Sequence, residues 1–358
     1  MTKQVFLHVG APKTGTTYLQ DIMLANRDRL VGQGVLYVGT EWTDHVHANY
    51  VVREHPRLDA LDHRARGAWR RLVDEALGFD GRAAVISHEF LGAATTEQAG
   101  RAIADLAPAE VHLVLTARAF VNQVPAVWQE HLKYRATAPL GAWWPEETDD
   151  PLSEWSWRTI DPVGVLGRWA AELDATRVHV VTTPPDPAPP DVLWHRYAAV
   201  IGVDADSCEL DVARRNESLG VVEAELLRRV NAHVAAPIRG AKEVSRWIRG
   251  NLVRLVLAPR RGRRFGIRDD RLQELHERAR QAIGYLRESG YDISGDLEDL
   301  DPPPATQPLP HPDDVADDEV LAAATESIAA MLQLVRQRTL ERDRAREELR
   351  ERRGGASH

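Results

Sequence analysis

Residues 5–20, VFLHVGAPKTGTTYLQ, gather two glycines, one lysine and three threonines into a short turn between a strand-like run and a helix-like run. A glycine loop in that position turns several backbone N–H groups towards one point, and the start of the following helix adds positive potential there. That arrangement holds an anion. Thr16 and Thr17 at the helix start can cap the helix or offer hydroxyls to a phosphate, and the two roles do not compete. Only four of the 45 basic residues are lysines, so Lys13 inside the loop stands out.

Gly10 and Gly15 keep the spacing of the nucleotide-hydrolysing loop G-x-x-x-x-G-K-[ST], but the lysine slot holds Thr16, and Lys13 is displaced to the middle. In a kinase or NTPase, a lysine after the second glycine reaches the terminal phosphate, and an acidic residue completes a Mg²⁺ shell. Here the later strand VHLVLTAR ends in arginine instead of a metal-binding aspartate. A donor with one phosphate in the loop and no metal suits these residues better.

The elements that must position the loop follow from patterning. QVFLHVG (4–10) is a β-branched, apolar run, and TTYLQDIMLANRDRLVGQG (16–34) has helical spacing ending at glycine. AAVIS (83–87), VHLVLTA (111–117) and RVHVVTT (177–183) repeat the strand pattern, each followed by a turn or helical segment such as FVNQVPAVWQEHLKY (120–134). Strands separated by helices predict an α/β fold with a central parallel sheet and ligand sites at the carboxyl ends of the strands.

With 358 residues, 43% apolar and 28% charged, the chain is able to bury a sizeable core. A net charge of −9 argues against a general nucleic-acid binder. The single cysteine, Cys208, excludes an intrachain disulfide framework, and no apolar stretch reaches the length of a membrane span. With a strand-like run beginning almost at Met1, these features lead to the expectation of a cytoplasmic protein.

With these residues in view, HVGAPKTGTTYLQ resembles the 5′-phosphosulfate loop of the PAPS-dependent sulfotransferases, and is most similar to the bacterial branch related to the carbohydrate enzymes. The resemblance covers residues 4 to about 290. It implies a three-layer, P-loop-like α/β fold, 3′-phosphoadenylyl sulfate (PAPS) as co-substrate, and no metal. It also implies that backbone groups of Thr14, Gly15, Thr16 and Thr17 cradle the 5′-phosphate. Lys13 would stand near the bridging oxygen, where charge accumulates as the bond to sulfur breaks; a cation there acts mainly in the transition state. In the family, an arginine after a strand and a serine eight residues later hold the 3′-phosphate. Arg118 matches that arginine, whereas position 126 is alanine, so the expected hydroxyl is missing and another group, such as Asn122 or a backbone amide, is the candidate substitute. Arg260, Arg261 and Gly262 in PRRGRR (259–264) match a basic segment that some members wrap over the same phosphate, although a basic strip for an anionic partner or membrane face explains them equally well.

Transfer to a hydroxyl requires a base, and family members use histidine or glutamate. ISHEFL (86–91), at a strand end, supplies His88 and Glu89. His88 needs no tuning to serve, with Glu89 as its orienting partner or as the base itself; neighbours on a strand point to opposite faces, so one of the two reaches the acceptor. His45 and His47 have no cysteine or acidic partner at metal-ligand spacing and are candidates for the acceptor entrance. Trp128 is expected in the core, with Gln129, Glu130 and Lys133 as polar candidates for the acceptor. Asn216 and Ser218 in ARRNESLG (213–220) are candidate caps before a helix.

The expected organisation is a sulfotransferase domain over 1–295, helical from about 219, an acidic proline-rich linker over 296–319, and a C-terminal helix with tail over 320–358. Residues 136–160, rich in tryptophan, proline and acids, are either a lid beside the site or a surface loop docked by its tryptophans. The terminal helix is either solvated or self-associating. The expected activity is transfer of a sulfuryl group from PAPS to a hydroxyl, or less readily an amine, of a carbohydrate, glycolipid or small metabolite. The alternatives are a divergent ATP–Mg²⁺ kinase and a non-catalytic nucleotide-binding scaffold.

Overall fold

The computed structural model describes residues 2–189, 191–211, 218–238, 240–303 and 307–355. Six strands form one all-parallel sheet: β1 (Gln4–His8), β2 (Val35–Tyr37), β3 (Ala83–Ser87), β4 (Glu110–Ala117), β5 (Val178–Thr182) and β6 (Asp292–Ser294), in the order β2-β3-β1-β4-β5-β6. β1 lies centrally, with His8 in register with Ser87 on one side and Val114 on the other. Successive β1 side chains alternate between the faces, as the pleat requires. Val5 and Leu7 join a core with Trp69, Leu166 and Trp169, while Phe6 joins Leu19, Ile22, Trp194 and Tyr197 on the opposite face. Helices therefore cover both faces, and the three-layer α/β fold expected from the alternation is present.

Four strands coincide closely with the apolar runs. β2 and β6 are only three residues each, too short to carry a readable period. The expected helix over 16–34 is two pieces, α1 (Thr16–Ala25) and Arg27–Gly32. They meet at Asn26, whose side-chain amide donates to Ile22 O at 2.9 Å and Glu209 O at 2.8 Å. The later helices of interest are α2 (Phe120–Lys133), α3 (Val192–Ile201), α4 (Val221–His233), α5 (Asp269–Glu288) and α6 (Asp317–Gly355).

Packing divides the chain differently from the linear order expected. The first unit, residues 1–127, 144–215 and 269–306, contains the sheet, to which α5 and β6 return after the helical stretch. The second, residues 128–143, 216–268 and 307–358, contains the end of α2, α4, a π-helical segment Val244–Leu257 and α6 around Trp128, Leu227, Val253, Leu257 and Val320. The acidic, proline-rich stretch is shared between them. Asp299 pairs with Arg196 at 2.6 Å in the first unit, and Asp313 accepts from the Leu140 and Gly141 N–H groups in the second. Among the described residues no helix is long and apolar enough to cross a membrane.

Candidate active site

The loop after β1 stays tied to β4 beyond the end of the strand. Val9 N donates to Val114 O at 3.0 Å, Ala11 N to Thr116 O at 2.9 Å, and Thr116 N returns to Gly10 O at 2.7 Å. Gly10 has φ +145°, and a Cβ there would stand 3.0 Å from the Glu89 carbonyl oxygen, so a side chain would be strained on both counts. Lys13 takes the left-handed region at φ +64° and is half-buried. Gly15, at φ +95°, starts α1 without a side-chain cap, so the opening N–H groups of the helix keep no side-chain acceptor.

Polar side chains hold the loop from beneath. The Thr14 hydroxyl is buried, donates to Ala11 O at 2.6 Å and meets Thr116 Oγ1, which donates to Gly10 O at 2.8 Å. Thr14 therefore offers an anion its backbone alone. His8 bridges Ser87 Oγ at 2.8 Å and Thr116 Oγ1 at 3.2 Å, linking β1 to both neighbours. Burial pushes His8 down to about 3, which keeps it neutral. Arg118, half-buried at the end of β4, donates from Nη1 to Lys13 O at 3.0 Å. Gln123, buried on α2, donates to Pro12 O at 2.7 Å, and Thr183 Oγ1 donates to Thr14 O at 3.1 Å. Thr17 is exposed at the first turn of α1, and Asn122 is half-buried beside Gln123.

His88 and Glu89 occupy different environments despite being neighbours. His88 is buried, and its Nδ1 accepts the Phe90 N–H at 3.2 Å as the cap of the short 3₁₀ turn Glu89–Ala93. Burial lowers it to about 3; nearby Glu154 opposes the shift and Arg53 adds to it. Glu89 is only partly buried, and Lys13, Gln20 and Thr16 lie near enough to its carboxyl group to favour the ionised form. Desolvation outweighs these contacts and holds the carboxyl above its ordinary range.

Gln20, which sequence reasoning missed, completes this cluster. It lies one turn after Thr16 on the buried face of α1, donates to Ser87 Oγ at 3.1 Å, and leaves Oε1 without a protein partner. The i, i+4 spacing from Thr16 was the available signal, since a glutamine on the buried face of the helix after a glycine loop needs a polar reason. Gln123 was also missed: the sequence singled out its neighbour Asn122.

Residues 144–160, within the first unit, are docked by their aromatics and strapped to the turn carrying Glu89. Arg158 Nε donates to Ala93 O at 2.8 Å, and Trp155 meets Phe90 edge-on at 4.9 Å between centroids. Trp157 packs edge-on against Phe120 at 5.4 Å and under Arg278 at 4.2 Å. Arg53, buried, pairs with Glu154 at 2.8 Å.

Several candidates stand elsewhere. His45 is buried with Nε2 donating to Val38 O at 2.8 Å and Nδ1 facing Ser87 N at 3.4 Å, so both nitrogens are committed to backbone; His47 is half-buried. Trp128 is core, as expected, but in the second unit with Gln129, Glu130 and Lys133. There Gln129 bonds the Leu219 backbone, and Glu130 pairs with Lys133 at 3.3 Å and Arg249 at 3.0 Å. Arg260 pairs with Glu223 at 2.9 Å and also with Glu326, whereas Arg261 is exposed in the left-handed region. Residues 213–217, with Asn216, lie outside the described residues; Ser218 falls in the second unit.

The first unit thus brings Lys13, Thr16, Gln20 and Glu89 to one point at the carboxyl edge of the sheet, with Arg118 bonded to the same loop. A cation, an uncapped helix start and a carboxyl group of raised proton affinity can together hold an anionic group and accept a proton beside it. Comparisons with family models, with curated proteins and with solved structures returned no match for this chain.

Proposed function

We propose that this chain is a PAPS-dependent sulfotransferase acting on a hydroxyl of a carbohydrate, glycolipid or small metabolite. The observation that carries the reading is the position of Glu89, whose carboxyl group meets Thr16 and Gln20 in the field of Lys13. On this reading the 5′-phosphosulfate binds at the backbone N–H groups from Thr14 to Thr17, and Arg118 takes the 3′-phosphate through its planar fork.

The acceptor hydroxyl gives its proton to Glu89 while its oxygen forms the new bond to sulfur. In line with that bond, the bond from sulfur to the bridging oxygen breaks, and its electron pair stays on the leaving phosphate. Lys13 meets that developing charge, so its contribution is larger in the transition state than in the ground state. Glu89 suits the role of base better than His88: its proton affinity is raised, whereas that of His88 is depressed and its Nδ1 is occupied. The reading also supports the bisphosphate product as a ligand and a compartment that supplies PAPS, the cytoplasm.

The test is a thermal-shift comparison with 3′-phosphoadenosine 5′-phosphate, with ATP plus Mg²⁺ and with AMP, because a ligand of the folded state raises apparent stability by mass action. Stabilisation by the bisphosphate alone, diminished in Arg118→Ala, is the expected result. Preference for ATP with Mg²⁺ replaces this reading with a kinase.

A further inference from the structure

The second unit carries a concentration of positive charge that the loop site does not use. Residues 241–264 hold eight basic residues against Glu243 alone, a net +7 in a chain of −9, which leaves −16 on everything else. Within this stretch the π-helical segment Val244–Leu257 buries Val244, Ile248, Val253, Val256 and Leu257 in its own unit. Its outer side shows two adjacent rows of residues spaced four or eight apart. One row holds Lys242, Arg246 and Arg254, all exposed; the other holds Trp247 and Leu255, at 44% and 37% exposure. The Arg246 guanidinium lies over the Trp247 ring at 5.3 Å from its centroid, and the indole N–H donates to Glu243 at 2.7 Å. Arg249, Arg260 and Arg263 are committed to carboxylates, whereas Lys242, Arg246, Arg254 and exposed Arg261 form no ion pair among the described residues.

We propose that this face docks on an anionic lipid bilayer, with its cations on the headgroup phosphates and Trp247 and Leu255 at the boundary of the acyl chains. Charge and apolar content together select this partner. The four unpaired cations are complementary to a negatively charged surface, which attracts clustered Lys and Arg. The strongly negative remainder of the chain is repelled by the same surface, so this segment is the part that can approach it. Tryptophan belongs at a membrane–water interface, where an apolar ring and a polar edge are both accommodated. Tyr134, 50% exposed in the same unit with its ring 4.8 Å from the Arg249 guanidinium, adds a second aromatic of this kind. Long cationic side chains reach the phosphates while their stems stay against apolar surroundings. Leu255 argues for lipid over nucleic acid, since it can neither pair with a phosphate nor stack as an aromatic ring does on a base.

The experiment is co-sedimentation of the full chain with vesicles of phosphatidylcholine alone and of phosphatidylcholine mixed with phosphatidylglycerol, each over a range of salt. Sedimentation with the mixed vesicles only, falling as salt rises, is the expected result. Each cation near an anionic surface is worth about fivefold in partitioning, so Lys242→Gln/Arg246→Gln/Arg254→Gln should lose about a hundredfold. Trp247→Ser/Leu255→Ser should lower partitioning at every salt concentration, because salt does not screen apolar burial, and the charge-conserving Arg246→Lys/Arg254→Lys should retain it. These side chains are exposed, so the fold has no need of them, and the salt dependence of the natural chain tests the charge without any substitution. No sedimentation, equal sedimentation with neutral vesicles, or unchanged partitioning in the triple variant or in Trp247→Ser/Leu255→Ser overturns the proposal. Tighter binding to a random duplex DNA than to the mixed vesicles overturns it too, and reassigns the face to nucleic acid. These outcomes are independent of what the loop site binds.

Discussion

Arg118 reaches back from the end of β4 to donate to the carbonyl oxygen of Lys13 at 3.0 Å, so the two cations of the candidate site are joined through backbone before any ligand arrives. Arg118 thereby has a structural role as well as the proposed one. Replacing it by lysine keeps a charge but loses the planar fork that can hold a carbonyl and a phosphate together. Arg118→Lys is expected to weaken bisphosphate binding by about tenfold or more while shifting the unliganded melting temperature little, as losing one hydrogen bond costs only about 1 kcal/mol. Calorimetric titration checks it; unchanged affinity removes Arg118 from the donor site.

Glu89 predicts opposite changes in stability and activity. Its carboxyl has a raised proton affinity in the fold, so its ionisation costs the folded state more than the unfolded chain. The associated penalty grows as pH rises from the ordinary glutamate value through the raised one, and then persists. Glu89→Gln is therefore expected to melt higher than the natural protein at neutral and alkaline pH and alike at acid pH. Turnover should fall by roughly 10²–10⁴-fold, the usual worth of a general base. Melting curves across pH, with a sulfuryl-transfer assay, decide it; full activity in this variant rejects Glu89 as base.

Three buried histidines give the fold an acid limit. Burial lowers His8 and His88 to about 3 and His45 to about 4, each from 6.5. The unfolded chain takes up these protons first, so stability is fully present above pH 6.5 and is lost as pH falls towards those depressed values. Each histidine contributes a slope of up to about 1.4 kcal/mol per pH unit in that window. Chemical denaturation between pH 7 and pH 4.5 should show the loss, and His45→Gln should make it shallower. A flat profile contradicts the buried, neutral assignment.

The loop's underside is expected to be as sensitive as its ligand face. Gln123→Leu leaves the Pro12 carbonyl without its 2.7 Å donor in a buried place, a change that costs about 1–3 kcal/mol. Gly10→Ala combines an unfavourable positive φ with a Cβ 3.0 Å from the Glu89 carbonyl, for a loss of about 1–3 kcal/mol. It should also reduce turnover through Glu89, while Gln123→Leu acts through the loop alone. Denaturant midpoints and transfer rates of the two variants separate these effects, and a wild-type rate in Gly10→Ala refutes the coupling.

Much of the architecture was determined locally. The apolar runs of β1, β3, β4 and β5 and the glycines flanking Lys13 specify a parallel α/β unit and a strand–loop–helix site, because period and turn chemistry act over neighbouring residues. The pair His88–Glu89 at a strand end was likewise visible. Tertiary structure alone decided which of the two faces the loop: His88 is buried near Arg53 and Glu154, and the Glu89 carboxyl lies near Thr16, Gln20 and Lys13, groups far away in sequence. It alone brought Gln20 to Ser87 and Gln123 to Pro12, and it alone assigned α5 and β6 to the sheet. Three-residue strands have too little pattern to read, and a side chain's partner is a property of segments that meet only when the chain is packed.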